Sequence, residues 1–342
     1  MMSHADPISY FLEDIEQHGR SPRTVSAYER VLRSFEEFLV TSRDTTPKDA
    51  HYRDCMAFVH TLRSDYAEST VASYASYLNR YYSYLVRVGQ HDANPMELVL
   101  EEMNESIDSN PSRRDISLDD MRQFVASIRH PLHRAIVLTL AKTGMRSGEL
   151  CNLDVYDLNI THEGAWWEPR PQISEKQEAL YVSPEHTVGE KSRGAVRNAT
   201  NKRMRETTIP IDGELRHALL QWLSVRPDSR CESQPLFTGT SERWGKRLTI
   251  NIVHHTVQEY AREFGWYHTG VGPAENVTPH YFRHFFTTHL RDRTGDRGIV
   301  KYLRGDVASD IIETYTHDWN DRVRETYLAH IYSLTGIPPQ PA

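Results

Sequence analysis

The sequence predicts a mainly α protein of two domains with a small antiparallel β-sheet in the second, an α+β class. Three observations carry this. The chain has 342 residues, about two domains at the usual ~100–200 residues each. Apolar residues recur three or four apart through roughly the first hundred positions, the period of a buried helix face. Only between residues 155 and 211 does that pattern yield to β-branched and aromatic residues broken by Pro and Gly.

Taken in order, Ser21-Pro22 is a helix start, a capping hydroxyl before a proline whose missing N–H costs nothing there. Val25, Tyr28, Leu32, Phe35 and Leu39 follow on one face. Thr46-Pro47 repeats the start ahead of Cys55, Phe58, Val59 and Leu62. Ser69 opens a third helix carrying Val71, Tyr74, Leu78, Tyr81, Leu85 and Val88, stopped by Gly89. Its tyrosines Tyr74, Tyr77, Tyr81 and Tyr84 read as a packing seam in preference to a surface for stacking bases. Asn94-Pro95 closes a first domain over 1–100, and the polar, aperiodic stretch 101–114 reads as a linker. The second domain spans 115–335. Ser117 and Asp120 form a capping box, and Leu132 to Thr143 is an apolar helix ended by Gly144. Ile209-Pro210-Ile211 ends the last strand, and helices resume near 212. Residues 318–334, with Asp318 and Asp321 ahead of a Val323/Tyr327/Ile331 stripe, predict a C-terminal amphipathic helix. That stripe packs either on its own domain or on a neighbouring protomer.

Apolar residues at 38% and charged residues at 25% are enough to build cores and exclude a disordered chain. No apolar run is long enough for a membrane span and no secretory leader is evident, so a soluble cytoplasmic protein is expected. Three widely spaced cysteines make neither a disulfide framework nor a metal knuckle. The net charge is −7, but residues 1–110 hold 10 Lys/Arg against 18 Asp/Glu while the remainder is balanced. That excludes an indiscriminate polycation and leaves nucleic-acid binding to local patches, with Arg20, Arg23, Arg63, Arg80 and Arg87 the candidates in the first domain. Gly239–Arg247 (GTSERWGKR) imitates a phosphate loop but has five intervening residues in place of four, and Arg where Ser/Thr belongs. His280, His284 and His289 share a helix with no Glu beside them and no third ligand, so no metal or other cofactor is expected.

The informative stretches are TGMRSGEL (143–150), TPHYFRHFFTTHL (278–290), the basic run 191–205 and ETYTH around Tyr315. Arg146 follows a helix-ending glycine, and His280 and Arg283 lie three apart on one helix face. The basic run supplies Lys202 with Arg193, Arg197, Arg203 and Arg205 as DNA-binding candidates; Arg243 and Lys246 add two more. Two arginines, a lysine, a histidine and a tyrosine suffice for metal-free phosphoryl transfer from a phosphodiester. Arg forks match the non-bridging oxygens of a phosphorane-like transition state and keep their protons. A tyrosyl phosphate stores the broken backbone bond without ATP.

The order and spacing of these residues resemble the tyrosine recombinase (phage integrase, Xer-like) family. Its T-G-x-R-x-x-E motif is matched by Thr143, Gly144, Arg146 and Glu149, and its H-x-x-R box by His280 and Arg283. The family lysine lies eight residues before a strand proline, which from Pro210 gives Lys202, and the nucleophile falls at Tyr315. Thr24, Tyr28, Leu32 and Phe35 match the T-x-x-x-Y…L-x-x-F pattern of its helical core-binding, SAM-like domain. The resemblance implies a site-specific recombinase or integrase acting through a 3′-phosphotyrosyl intermediate without metal or ATP. Arg146 and Arg283 would neutralise the phosphate, Lys202 protonate the departing 5′-oxygen, His280 take the phenolic proton, and Glu149 orient Arg146. The implied partners are double-stranded DNA carrying a specific site and further copies of the chain, a homotetramer on DNA and a monomer or dimer off it; no membrane is implied.

Three positions depart from the family. Asp306, in Leu303-Arg304-Gly305-Asp306, stands where a histidine is usual, a variant similar to some archaeal members, and a carboxylate donates no hydrogen bond unless protonated. The stretch between Leu158 and Ile209 is long, which keeps Lys191 in reserve as the lysine. The usual glycine beside Lys202 is missing. Two alternatives stay open, a type IB topoisomerase and a DNA-binding regulator with a decayed active site.

Overall fold

The computed structural model divides the chain into two compact units, Met1–Pro111 and Ser112–Ala342. It describes residues 6–106, 112–162, 165–184, 191–192, 195–196, 201–203, 205–229, 232–306 and 319–336. Among these no helix is long and apolar enough to cross a membrane.

The first unit is helical: α1 (Pro7–Gln17), α2 (Pro22–Arg43), α3 (Tyr52–Asp65), α4 (Glu68–Arg87) and α5 (Met96–Glu102). Ser21 caps α2 as expected, its hydroxyl accepting the Thr24 N–H at 3.2 Å. Helix α1 lies ahead of the first start signal in the sequence reading. It is held by Asp6 at its N-cap and by buried Ile8, Phe11, Leu12 and Ile15. Thr46-Pro47 starts no helix, because Thr46 closes a turn on Asp49 and α3 begins only at Tyr52. Tyrosines of α4 do form a packing seam: Tyr28 and Tyr77 rings lie 4.3 Å apart, and Phe11 lies 5.5 Å from Tyr81 and 5.3 Å from Tyr84. Helix α5 runs to Glu102, two residues into the stretch read as linker.

The second unit opens with α6 (Leu118–Ser127), α7 (Pro131–Thr143) and α8 (Ser147–Asn152). Strands β1 (Leu158–Asn159), β2 (Ala179–Val182) and β5 (Thr207–Pro210) form an antiparallel sheet in that spatial order, with Leu158 opposite Leu180 and Leu180 opposite Ile209. Strands β3 (Lys191–Ser192) and β4 (Ala195–Val196) make a separate antiparallel pair. Then come α9 (Gly213–Val225), α10 (Ile250–Glu263), α11 (Pro279–Thr294), α12 (Arg297–Arg304) and α13 (Trp319–His330). Helix α7, buried almost all round from Ala135 on, is the centre of the core, as the run Ala135–Ala141, apolar but for Thr139, requires.

A buried polar knot fastens the C-terminal segment onto α7. Lys142 Nζ lies 2.6 Å from both Asp212 Oδ2 and Glu214 Oε2 and also donates to the Tyr332 carbonyl. Glu214 accepts the N–H groups of Leu334 (2.7 Å) and Thr335 (2.8 Å) and the Ser333 hydroxyl (2.6 Å). Burial raises the Glu214 pKa, but the Lys142 charge and these hydrogen bonds win and bring it to about 2. Tyr327 donates to the Lys142 carbonyl at 2.9 Å, and Val323, Tyr327 and Ile331 are all buried. The stripe of the C-terminal helix is therefore spent within its own unit, which removes the expectation of a stripe docked on a neighbour. The helix also ends at His330, short of the expected 334, and Asp318 lies outside the described residues.

Removing one partner of such a knot leaves charges buried without compensation. Lys142→Met is expected to lower the unfolding free energy by about 3–5 kcal/mol in urea unfolding of the full chain. A loss under about 1 kcal/mol would mean that Asp212 and Glu214 re-pair without the ammonium.

Candidate active site

Gly144 ends α7 in the left-handed region at φ 61°, and a Cβ there would lie 2.4 Å from Phe286 Cδ1 of α11. The bare glycine lets the end of α7 lie directly on α11. That approach brings Arg146, the N-cap of α8, to Arg283 on α11. Arg283 is buried: Nη1 donates to the carbonyls of Gly144 (2.8 Å) and Arg304 (3.0 Å), and Nη2 to Asp306 Oδ1 (2.5 Å). Arg146 donates from its backbone and from Nη1 to the two oxygens of Glu149, both at 2.9 Å, and its Nη2 lies 3.4 Å from Asp306 Oδ1. Gly305, at φ 69°, ends α12 and turns Asp306 inward, where Oδ2 also meets Arg304 Nε at 3.0 Å. Three guanidinium groups thus converge on one carboxylate.

Positive charge dominates the cluster. Burial and then the Arg146 charge lower the Arg283 pKa, while Asp306 raises it. His280 lies one helical turn from Arg283 and keeps an exposed face. Desolvation on its packed side, followed by the charges of Arg113, Arg283, Arg146 and Arg304, pulls its pKa down. At neutral pH the ring is therefore uncharged and has a nitrogen free to accept a proton. Arginines that cannot give up their protons, beside an imidazole that has none to spare, make a site that takes an anion and removes a proton.

The sequence profile described as "Phage integrase family" matches residues 115–322, and that described as "Phage integrase, N-terminal SAM-like domain" matches 8–89. The chain belongs to the phage integrase family. As such it is a tyrosine-type recombinase. It is 23% identical to tyrosine recombinase XerC of Pelobacter propionicus over 335 residues, 95% of this chain and 94% of that one. The fold is that of the integrase of transposon Tn1549, solved with a circular-intermediate DNA (TM-score 0.66, 16% identity, 93% of this chain and 97% of that one). A lambda integrase dimer bound to a core site is similar too, with TM-score 0.61, 14% identity and 92% and 98% of the two chains covered.

Arg146, Glu149, His280 and Arg283, the residues expected to match the family motifs, lie together with Asp306. Lys202 is exposed, between buried Asn201 and buried Arg203. Arg203 corrects the sequence reading. It was expected on DNA, yet it has no exposed surface, pairing with Glu149 Oε2 at 3.1 Å and donating to the Leu303 carbonyl at 3.0 Å. Arg205 is half-buried, its guanidinium 5.1 Å over the Tyr302 ring, while Arg243 and Lys246 are exposed. Arg193, Arg197 and Tyr315 lie outside the described residues, as does the Lys191 side chain. Tyr302 and Tyr327, the phenols nearest Tyr315 in sequence, are buried.

The GTSERWGKR stretch folds back on itself: a Cβ at Gly239 would meet the Arg243 carbonyl at 2.5 Å, and Arg247 is buried against Asp154. His289 packs its ring 4.2 Å from Phe285 and 5.7 Å from Tyr332. Sequence reasoning missed Arg304 as a third guanidinium on Asp306, and Arg113 beside His280. The signal for Arg304 is its place two residues before Asp306 at the end of α12.

Lowered histidine pKa values set a pH dependence of stability. His133 and His280 are held neutral down to about 4, whereas unfolded histidine titrates near ~6.5. The unfolded chain therefore binds protons first, and stability present above pH ~6.5 is lost as pH falls towards 4. His284 and His289 shift the same way, while Asp157, raised to about 6 mainly by burial, opposes them. Tm is expected to fall steadily from pH 6.5 to 4 in calorimetric scans; a flat Tm across that window contradicts the assignment.

Proposed function

We propose that this protein is a site-specific DNA recombinase that cuts and rejoins duplex DNA through a 3′-phosphotyrosyl intermediate on Tyr315. The observation that carries the reading is the convergence of Arg146 and Arg283 on a single carboxylate, at 3.4 and 2.5 Å, beside a neutral histidine. Guanidiniums that hold a carboxylate oxygen are spaced to hold a phosphate oxygen. In this reading Tyr315 attacks the scissile phosphorus and the P–O5′ bond breaks. The phenolic proton, with a pKa near ~10 in free tyrosine, passes to His280. The Lys202 ammonium protonates the departing 5′-oxygen, and ligation runs the steps in reverse. Arg146 and Arg283 offset the charge that grows on the non-bridging oxygens, so the reading calls for neither metal nor ATP.

The partner is double-stranded DNA carrying a specific site, bound by a tetramer that forms on DNA from monomers or dimers in the cytoplasm. The domains at work are residues 1–100 on the core site and 115–335 at the scissile phosphate, joined through 101–114. Asp306 is the residue on which the likeness to archaeal members rests.

A nicked suicide substrate, whose cleaved 5′ fragment diffuses away, tests the nucleophile. The parent is expected to form an SDS-stable protein–DNA adduct and Tyr315→Phe none, with DNA affinity retained. An adduct from Tyr315→Phe overturns the assignment. No adduct from the parent on any cognate site leaves the DNA-binding regulator, and relaxation of supercoils without pairing of sites leaves the topoisomerase.

Asp306 is expected to matter through charge. Asp306→Asn keeps the shape but releases three guanidiniums from their shared anion, and cleavage should slow by ~10-fold or more, about 1.4 kcal/mol. Single-turnover cleavage at saturating protein measures this, with DNA binding followed separately; parental cleavage by the variant would make Asp306 dispensable.

A further inference from the structure

We propose that Arg203 is a positioning residue that locks the backbone of Lys202 against α8, so that the proton donor is in place before DNA arrives. The proposal rests on the strand-transfer reading, in which Lys202 protonates the 5′-oxygen.

Lys202 is exposed between two buried residues that are both tied to α8. Asn201 accepts from Asn152 Nδ2 at 2.9 Å, at the C-terminal end of that helix, and donates to the Ser183 carbonyl at 2.9 Å. Arg203 pairs at 3.1 Å with Glu149, in the middle of the helix, and Glu149 in turn holds Arg146 at its N-cap. Glu149 and Asn152 are about one turn apart, roughly 4.5 Å along the axis at ~1.5 Å per residue. Asn201 and Arg203 are therefore tied, one residue to either side of Lys202, to side chains about one turn apart on the same helix. The lysine backbone is thus pinned on both sides to the turn that follows Arg146.

Arg203 also touches the opposite wall of the site. It donates to the Leu303 carbonyl at 3.0 Å, and a Cβ on Gly305 would lie 2.7 Å from its Nη1 and 2.8 Å from its Cγ and Cδ. The same turn presents Asp306 to Arg283. A single buried side chain therefore joins the loop of Lys202, the carboxylate that orients Arg146 and the turn that holds Arg283. Nothing so buried contacts DNA; Arg146 keeps two hydrogen bonds to Glu149 and Arg283 three of its own without Arg203, so its effect on cleavage passes through Lys202.

The experiment compares two suicide substrates, one with the natural bridging 5′-oxygen and one with sulfur in its place. A thiol has a pKa near ~8.5 against ~15.7 for water, so sulfur leaves as thiolate without a donated proton. The P–S5′ bond breaks as the P–O bond to tyrosine forms, and the phenolic proton still goes to His280.

The parent is expected to form adducts on both substrates. Lys202→Met and Arg203→Met should each lose at least about tenfold in rate on oxygen, within the ~10²–10⁴ that general acids supply, and cleave the sulfur substrate within about threefold of the parent. The double variant should be no slower on oxygen than Lys202→Met alone, since Arg203 acts through the lysine. Arg203→Lys should recover part of the rate. If circular dichroism shows Arg203→Met unfolded, Asn201→Ala loosens the other pin and should give the same oxygen-selective loss. Parental oxygen cleavage by Arg203→Met, or by Asn201→Ala where that variant replaces it, overturns the proposal. So do equal losses on both substrates, or losses that multiply in the double variant. Absence of any adduct from the parent overturns the strand-transfer reading itself, and the role of Arg203 falls with it.

Discussion

The site depends on a carboxylate with no exposed surface. Glu149 takes a backbone N–H and a guanidinium from Arg146 and a second guanidinium from Arg203, so both its oxygens are occupied. Removing such a charge from water costs several kcal/mol, and only close multidentate pairing offsets it. That requirement makes the arrangement specific. Arg203 must be buried beside Glu149, and Arg146 must hold the geometry that completes the set. A neutral residue at 149 would leave Arg203 as an unpaired charge in the core. The first arginine of the site is thereby fixed by packing at the start of α8 rather than left to swing in solvent.

The same crowding of charge serves both halves of the proposed chemistry. Among the described residues Arg146, Arg203, Arg283 and Arg304 pair with Glu149 and Asp306, an excess of cations that invites an anion. Three of them, with Arg113, also disfavour a proton on His280. A lone histidine at neutral pH would be partly protonated and partly useless as a base. Desolvation on its packed side, and then the charges of these guanidiniums, favour the neutral ring. Asp306 fits this picture as an internal anion, keeping like charges together in the free protein without the hydrogen-bond donor that a histidine would bring.

Periodicity made the first unit legible, because α2, α3 and α4 each bury one stripe against the others. It missed α1, whose Ile8/Phe11/Leu12/Ile15 stripe was present but followed no recognised start beyond Asp6-Pro7. Of the candidate site, Arg146, Glu149, His280 and Arg283 came from the resemblance to the family's two short motifs, and the structure brings these four side chains together. The buried place of Arg203 was not legible. A basic run shows composition, whereas the alternation of buried Asn201, exposed Lys202 and buried Arg203 comes from partners 49 to 100 residues away. The fate of the C-terminal stripe was hidden for the same reason, since Lys142 and Tyr332 meet across 190 residues.

Pairing also bears on how an acidic first unit would serve the proposed polyanion. Net charge counts every group, but a phosphate meets only cations that remain exposed and uncommitted. Arg63, one of the five expected on the DNA side, is bound through two nitrogens to Glu105, and Arg33 is held by Asp6 and Glu36. Arg20, Arg23, Arg80 and Arg87 are exposed, and both Arg20 and Arg80 act electrostatically on Tyr28, which places them on the same side of the α2–α4 seam. Beyond a Debye length of about 8 Å at physiological salt, carboxylates elsewhere on the unit are largely screened from a phosphate at that patch. The surplus of acid is a sum over the whole unit, whereas the proposed DNA would meet only the exposed cations of that patch.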